Sequence, residues 1–119
     1  FSKLLTFNTK KLIGALERIA VLADQQSSVV KIKLDQNNLA FISADAQDIG
    51  NANESIPVNY QGEDFDIAFN VRYLLEGLKV IYSENVVLKC NLSTTPAVFV
   101  PEDNLNSFTY LVMPVQVRS

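Results

Sequence analysis

Apolar and polar positions alternate along much of this chain, and twice the alternation gives way to helical spacing. Phe65, Ile67 and Phe69 alternate with Asp66 and Ala68, and the run ends at Asn70, beyond which Val71, Leu74, Leu75, Leu78 and Ile81 repeat at the spacing of one helical face. The same pattern occurs once before. Leu4-Leu5-Thr6-Phe7 runs into Asn8, and Leu12, Ile13, Leu16, Ile19 and Ala20 follow at helical spacing. Phe, Asn, a basic residue, Leu, Leu and Ile stand at 7, 8, 10, 12, 16 and 19 and again at 69, 70, 72, 74, 78 and 81. This is an internal duplication with repeats of about 1–61 and 62–119. In each copy the Asn is suited to cap the helix, because its side chain accepts from amides of the first turn that have no partner inside the helix.

The pattern predicts β-α-β-β-β in each repeat. In the first, a strand at 4–7 leads to a helix from Thr9 to Ala23 and a polar loop at 24–28, then a strand at 30–34 with Lys31 and Lys33 on its wet side. Asp35-Gln36-Asn37-Asn38 turns it into a strand at 39–44, and after a polar stretch a third follows from Ser55 to Tyr60, where Pro57 marks an edge because it cannot donate to a ladder. In the second, a helix from Val71 to Tyr82 precedes strands at 85–91, 97–100 and 108–113. The expected fold class is α+β: eight strands in a mostly antiparallel sheet, with two helices on one face.

A length of 119 residues and 48% apolar content fit one domain with a real core. No run approaches the length of a membrane span and no signal peptide is visible, so the expected compartment is the cytoplasm. Cys90, the only cysteine, excludes an internal disulfide and reads as a small buried hydrophobe within Val86-Val87-Leu88-Lys89-Cys90. Asn53-Glu54-Ser55 and Asn91-Leu92-Ser93 match the glycosylation sequon by chance. Since the sole methionine is Met113, Phe1 reads as the start of a fragment.

The net charge of −3 argues against a surface that is basic throughout, but the charge is segregated. Acids gather in turns and loops (Asp35, Asp45, Asp48, Glu63, Asp64, Glu102, Asp103), while five of the ten Lys and Arg residues lie on the two helices: Lys10, Lys11, Arg18, Arg72 and Lys79. With no histidine there is neither a Ser-His nor a Cys-His pair, and the sequence has no glycine-rich phosphate loop and no Cys/His metal spacing. Asp64 with Asp66 and Glu102 with Asp103 read as solvated turn carboxylates. These absences favour a binding or scaffold role over an enzyme, with no cofactor and no metal.

The tail Tyr110-Leu111-Val112-Met113-Pro114-Val115, the stretch Ile67-Ala68-Phe69-Asn70-Val71-Arg72-Tyr73-Leu74 and the repeated β-α-β-β-β unit resemble the last domain of the bacterial DNA polymerase III beta subunits, the sliding clamps. The resemblance covers the whole chain. It implies a DNA-clamp domain, the third of three in a subunit, with two subunits joined head to tail as a homodimer ring around duplex DNA, helices inside and sheets outside. It further implies a processivity factor rather than a catalyst, with the replicative polymerase, the clamp loader and repair proteins as partners and no membrane. Under it, Lys10, Lys11, Arg18, Arg72 and Lys79 face DNA and contact phosphates without base readout. Asn70, Tyr73, Thr95, Ala97, Leu111, Val112, Met113, Pro114 and Val115 match the cleft that takes a partner peptide. Val21 and Leu22 match the apolar pair that meets the other subunit; on the residues alone they read equally as core. Some relatives end soon after Met-Pro-Met-Arg-Leu where this chain reads Met-Pro-Val-Gln-Val-Arg-Ser, and the acidic character near the third strand is thinner here, with Asp48 and Glu54. The alternative is a stand-alone peptide-binding adaptor without a DNA role; catalysis by the acidic loops comes third.

Overall fold

A computed structural model describes residues 2–22, 28–35, 37–46, 50–102 and 109–115. The elements are β1 (Lys3–Asn8), α1 (Thr9–Leu22), β2 (Val29–Leu34), β3 (Leu39–Ala46), β4 (Gly50–Asn59), β5 (Phe65–Asn70), α2 (Val71–Leu78), β6 (Asn85–Cys90), β7 (Ala97–Pro101) and β8 (Tyr110–Val112). Every strand pair is antiparallel, in the order β5-β2-β3-β4-β1-β6-β7-β8.

The duplication is visible in the register. The opening strand of each repeat does not pair with the second strand of its own repeat but with that of the other. β1 lies on β6 from Lys3 opposite Cys90 to Asn8 opposite Asn85, and β5 lies on β2 from Phe65 opposite Leu34 to Asn70 opposite Val29. These are the same six rungs written twice. The helix entries match as well: the Thr9 amide donates to the Glu84 carbonyl and the Val71 amide to the Ser28 carbonyl, both at 2.9 Å. An approximate twofold therefore superposes Phe7 on Phe69 and Leu16 on Leu78, and all four side chains are buried in one apolar core that both helices cover.

Alternation on the strands decides which residues fill that core. Leu5 and Phe7, Val30, Ile32 and Leu34, Ala40 and Ile42, Ile56 and Val58, Ile67 and Phe69, and Val86, Leu88 and Cys90 all point inward. Cys90 is fully buried and burial pushes its thiol up to about 11, which keeps it a protonated hydrophobe.

The sheet comes close to closing on itself. At one side β4 joins β1 through two rungs, Thr6 opposite Asn59 and Phe7 opposite Val58. At the other, the Val115 amide donates to the Ala68 carbonyl of β5 at 2.7 Å.

Three sequence expectations need correction. The second helix stops at Leu78, not Tyr82, because the chain tightens beyond Gly77: the Val80 amide reaches the Gly77 carbonyl and the Ile81 amide the Leu78 carbonyl, so the apolar position at 81 enters the core from a turn. β4 begins at Gly50, five residues before the expected start, since β3 satisfies its backbone as far as Ala46 opposite Gly50 and polar side chains are no obstacle on an outer strand. The edge expected at Pro57 is found there: β4 is inner only at Val58 and Asn59, which pair with β1, and Pro57 lies on the stretch before them that has β3 alone as a neighbour among the described residues, where its missing amide costs nothing. The last strand spans only Tyr110–Val112; Ala23 and Phe108 lie outside the described residues.

Candidate functional site: a helix-borne basic face and a seam between α2 and β8

The seam forms where β8 passes the first turns of α2. Asn70 caps that helix, its Oδ1 accepting from the amides of Arg72 at 2.9 Å and Tyr73 at 3.4 Å. The Tyr110 hydroxyl donates to the Tyr73 carbonyl at 2.9 Å, and the Tyr110 ring packs against Gly77, where a Cβ would stand 2.0 Å from a ring carbon. Only glycine admits this contact. Burial holds the Tyr110 phenol above its ordinary range, so it stays a donor. Tyr110 was not singled out from the sequence, although its inward parity next to exposed Leu111 was the available signal.

Around this clamp the cleft candidates divide. Tyr73, Leu111 and Met113 are 59%, 63% and 57% exposed, and Pro114 and Val115 are half-buried. Ala97 and Val112 sit opposite each other on β7 and β8 and are buried, so they back the seam from the core side. The Thr95 hydroxyl closes its own turn, accepting from the Leu92 amide at 3.1 Å and donating to the Leu92 carbonyl at 3.3 Å.

The basic candidates divide too. Lys10, Lys11 and Arg72 occupy the first helical turns and are exposed. Arg18 is held by the Glu54 carboxylate of β4 through two bonds, from Nε at 2.6 Å and Nη2 at 2.7 Å, and Lys79 Nζ lies 3.3 Å from Glu17 of α1. The fork with Arg18 draws the Glu54 carboxyl below its ordinary range and raises the guanidinium, chiefly through the shared hydrogen bonds.

A depressed carboxyl stabilises the fold above the unfolded-state value and loses that contribution as pH falls through the folded-state value. Replacing Glu54 by Gln should therefore lower the melting temperature slightly at neutral pH, and not at all at a pH acid enough to protonate Glu54 in the folded state, which lies below the ordinary glutamate range. Melts at both pH values check this; an equal loss at both would show that the fork contributes by shape rather than charge.

Val21 is 83% exposed at the end of α1 and so is not core; the side chain of Leu22 lies outside the described residues, as does Asp48. Beside α1, the stretch of β4 before Val58 has β3 on one side and no strand on the other among the described residues. Asp64 and Asp66 are exposed, and among the described residues no group of three or more His, Cys, Asp or Glu could hold a metal ion. No helix among them is long and apolar enough to cross a membrane.

Comparison with known proteins supplies the family. The profile of the DNA polymerase III beta subunit, C-terminal domain, matches residues 1–116. The beta sliding clamp of Synechococcus elongatus is 45% identical over the whole of this chain, and that of Synechocystis 40% identical over 98% of it. The chain spans about a third of their length, 32% and 30% respectively. The crystal structure of the Pseudomonas aeruginosa DNA polymerase III subunit beta superposes with a TM-score of 0.91 at 32% identity, covering 98% of this chain and 31% of that one. With eight antiparallel strands, two helices and a profile match over nearly its full length, the chain belongs to the family of C-terminal domains of the DNA polymerase III beta subunit.

Proposed function

We propose that this chain is the last domain of a three-domain sliding clamp, closed as a homodimer ring that encircles duplex DNA and tethers polymerase, clamp loader and repair proteins to it. The observation that carries the reading is the duplicated helix entry: the twofold sets Lys10 and Arg72 at equivalent places in the first turns of two neighbouring helices, both exposed. A ring that slides needs screened, non-specific phosphate contacts, and exposed cations on a repeated helical face supply them. The ring contact is supported by exposed Val21 beside the free stretch of β4, an edge open to extension by a strand from a second subunit. The peptide cleft is supported by Tyr73, Leu111 and Met113 exposed around the Tyr110 clamp. A role as processivity factor rather than catalyst follows from the same reading.

The ion pairs rank the cations. In the full-length protein, Arg72→Glu should weaken retention on circular duplex DNA strongly at low salt and little at high salt, lowering the salt slope by about 0.9 for each phosphate no longer neutralised. Arg18→Glu should do much less, because Arg18 is spent on Glu54. Retention assayed across a salt series checks this, and equal loss from both variants would mean that the helical face acts only through net charge.

A further inference from the structure

The twofold that relates the repeats also carries the seam between α2 and β8 onto a second place in the fold. At the spacing of the duplication, Asn8 corresponds to Asn70, Lys11 to Tyr73 and Thr6 to Ala68. β4 meets β1 where β8 runs towards β5: Thr6 lies opposite Asn59, and the Val115 amide donates to the Ala68 carbonyl, so Asn59 holds the place of Val115. Asn38 stands in the turn before β3 as Thr95 stands in the turn before β7. The surface is hollow here too. A cavity of about 460 Å³ is walled by Asn8, Lys11, Asn38, Asn59, Asn85 and Glu102.

The placement is kept and the chemistry is exchanged. Where the seam presents Tyr73, Met113 and Val115, this groove presents an ammonium, the ring of Pro57 and an amide. Each asparagine is carried on a fixed backbone. Asn8 and Asn85 form the last rung between β1 and β6, and Asn59 pairs with Thr6. Asn38 takes a positive φ of 59°, and its carbonyl accepts from the Val58 amide at 3.0 Å. Asn8 Oδ1 accepts from the Lys11 amide at 3.0 Å and Asn85 Nδ2 donates to Glu102 Oε1 at 3.1 Å, so Asn8 still has its amide hydrogens to offer and Asn85 its oxygen. Asn38 and Asn59 are exposed, and each offers both kinds of group. A phosphate would use donors alone and a metal ion acceptors alone, whereas a peptide main chain alternates the two and uses both. Lys11 and Glu102 add one charge of each sign, which leaves no net pull on an anion.

We propose that this groove is a second docking site for partner proteins, taking an extended polar segment whose main chain pairs with the asparagine amides. The inference deepens the reading of the seam as a peptide cleft and rests on it: the duplicated fold holds the same hollow twice, apolar in one repeat and polar in the other. Main-chain pairing supplies the affinity, as it does where an extended peptide lies along a sheet, and side chains supply the choice of partner. An acidic side chain at Lys11 and a basic one at Glu102 fix the direction of the segment.

The test is selection of displayed short random peptides against the full-length protein carrying Met113→Asp, which disables the seam. Calorimetric titration of the selected peptides into the parent, Met113→Asp, Asn59→Val and Asn38→Gly follows. Valine suits an exposed ladder position and glycine keeps the positive φ, so both groove variants should melt close to the parent. The expected result is a set of polar peptides without a recurring Leu or Phe that bind the parent and Met113→Asp alike. Each groove variant should weaken them about tenfold, the loss of one main-chain hydrogen bond. A peptide bearing Leu and Phe should show the reverse pattern, weakened by Met113→Asp and indifferent to Asn59→Val. Failure to select any peptide, or polar peptides that bind both groove variants undiminished, overturns the groove and leaves the seam standing. Selected peptides with a recurring Leu or Phe that Asn59→Val weakens overturn the polar chemistry. A Leu- and Phe-bearing peptide that binds Met113→Asp as it binds the parent overturns the seam as a cleft, and with it the inference drawn from it by symmetry.

Discussion

Replacing Phe69 by Ala should cost about 3–5 kcal/mol, the range for emptying a fully buried aromatic position. The ring is 0% exposed, and its strand is pinned on both sides: β5 pairs along its length with β2, and its last residue caps α2. The walls of the hole are strand and helix at once, so collapse into it would require the cap to move. For a domain of this size the loss is a large share of a total stability of roughly 5–15 kcal/mol. Phe7→Ala, at the twofold-related position and 1% exposed, should cost a similar amount. Phe41→Ala is the internal control: Phe41 is 40% exposed on the outer side of β3 and should cost about 1 kcal/mol or less. Denaturant titrations of the three variants check the ranking, and a Phe69→Ala loss no larger than that of Phe41→Ala would refute the repeat-anchored core.

The repeats were legible because each is built from local signals: strand parity through Phe7 and Phe69, a capping Asn, and a helical stripe. What was not legible is how the repeats interlock. Hairpins follow from adjacency in sequence, as for β2 and β3 around the Asp35 turn, where the Asn37 amide donates to Asp35 Oδ1 and Asn38 takes a positive φ. The pairing of β1 with β6 and of β5 with β2 joins segments far apart, and no periodicity encodes it. The end of α2 was misplaced for a related reason, since Ile81 keeps helical spacing and is buried but reaches the core from a turn.

The site was legible at the level of residue types and not at the level of exposure. Ala97 and Val112 belong to the core, whereas Leu111 and Met113 on the opposite parity are open. The partners that tie down Arg18 and Lys79 lie on other elements: Glu54 stands 36 residues from Arg18, and only the packing of α1 on β4 and α2 brings either pair together.

Met113→Asp should reduce binding of a short peptide bearing Leu and Phe side chains by about 30-fold or more, which is the loss of one hot-spot anchor of about 2 kcal/mol. Met113 is 57% exposed beside exposed Leu111 and half-buried Pro114 and Val115, so an unbranched, polarizable side chain stands at the mouth of an apolar seam. A carboxylate there would have to be desolvated beneath an incoming apolar side chain. The fold should survive, because the core positions Phe69, Leu74 and Leu78 are untouched and Met113 itself buries little. Truncation before Val115 is a harsher test: it removes the amide that donates to the Ala68 carbonyl and so opens the β5 side of the sheet as well as the cleft. The point variant separates binding from folding where the truncation does not. Calorimetric titration of the full-length protein with the peptide, run beside a thermal melt, decides the matter. Unchanged affinity in Met113→Asp would place the cleft elsewhere, and a melt lowered as far as that of Phe69→Ala would show that the tail is structural. Tyr110→Phe, which keeps the ring over Gly77 but removes the donor to the Tyr73 carbonyl, should weaken the peptide less than Met113→Asp does, because it loosens the wall of the seam without placing charge in it.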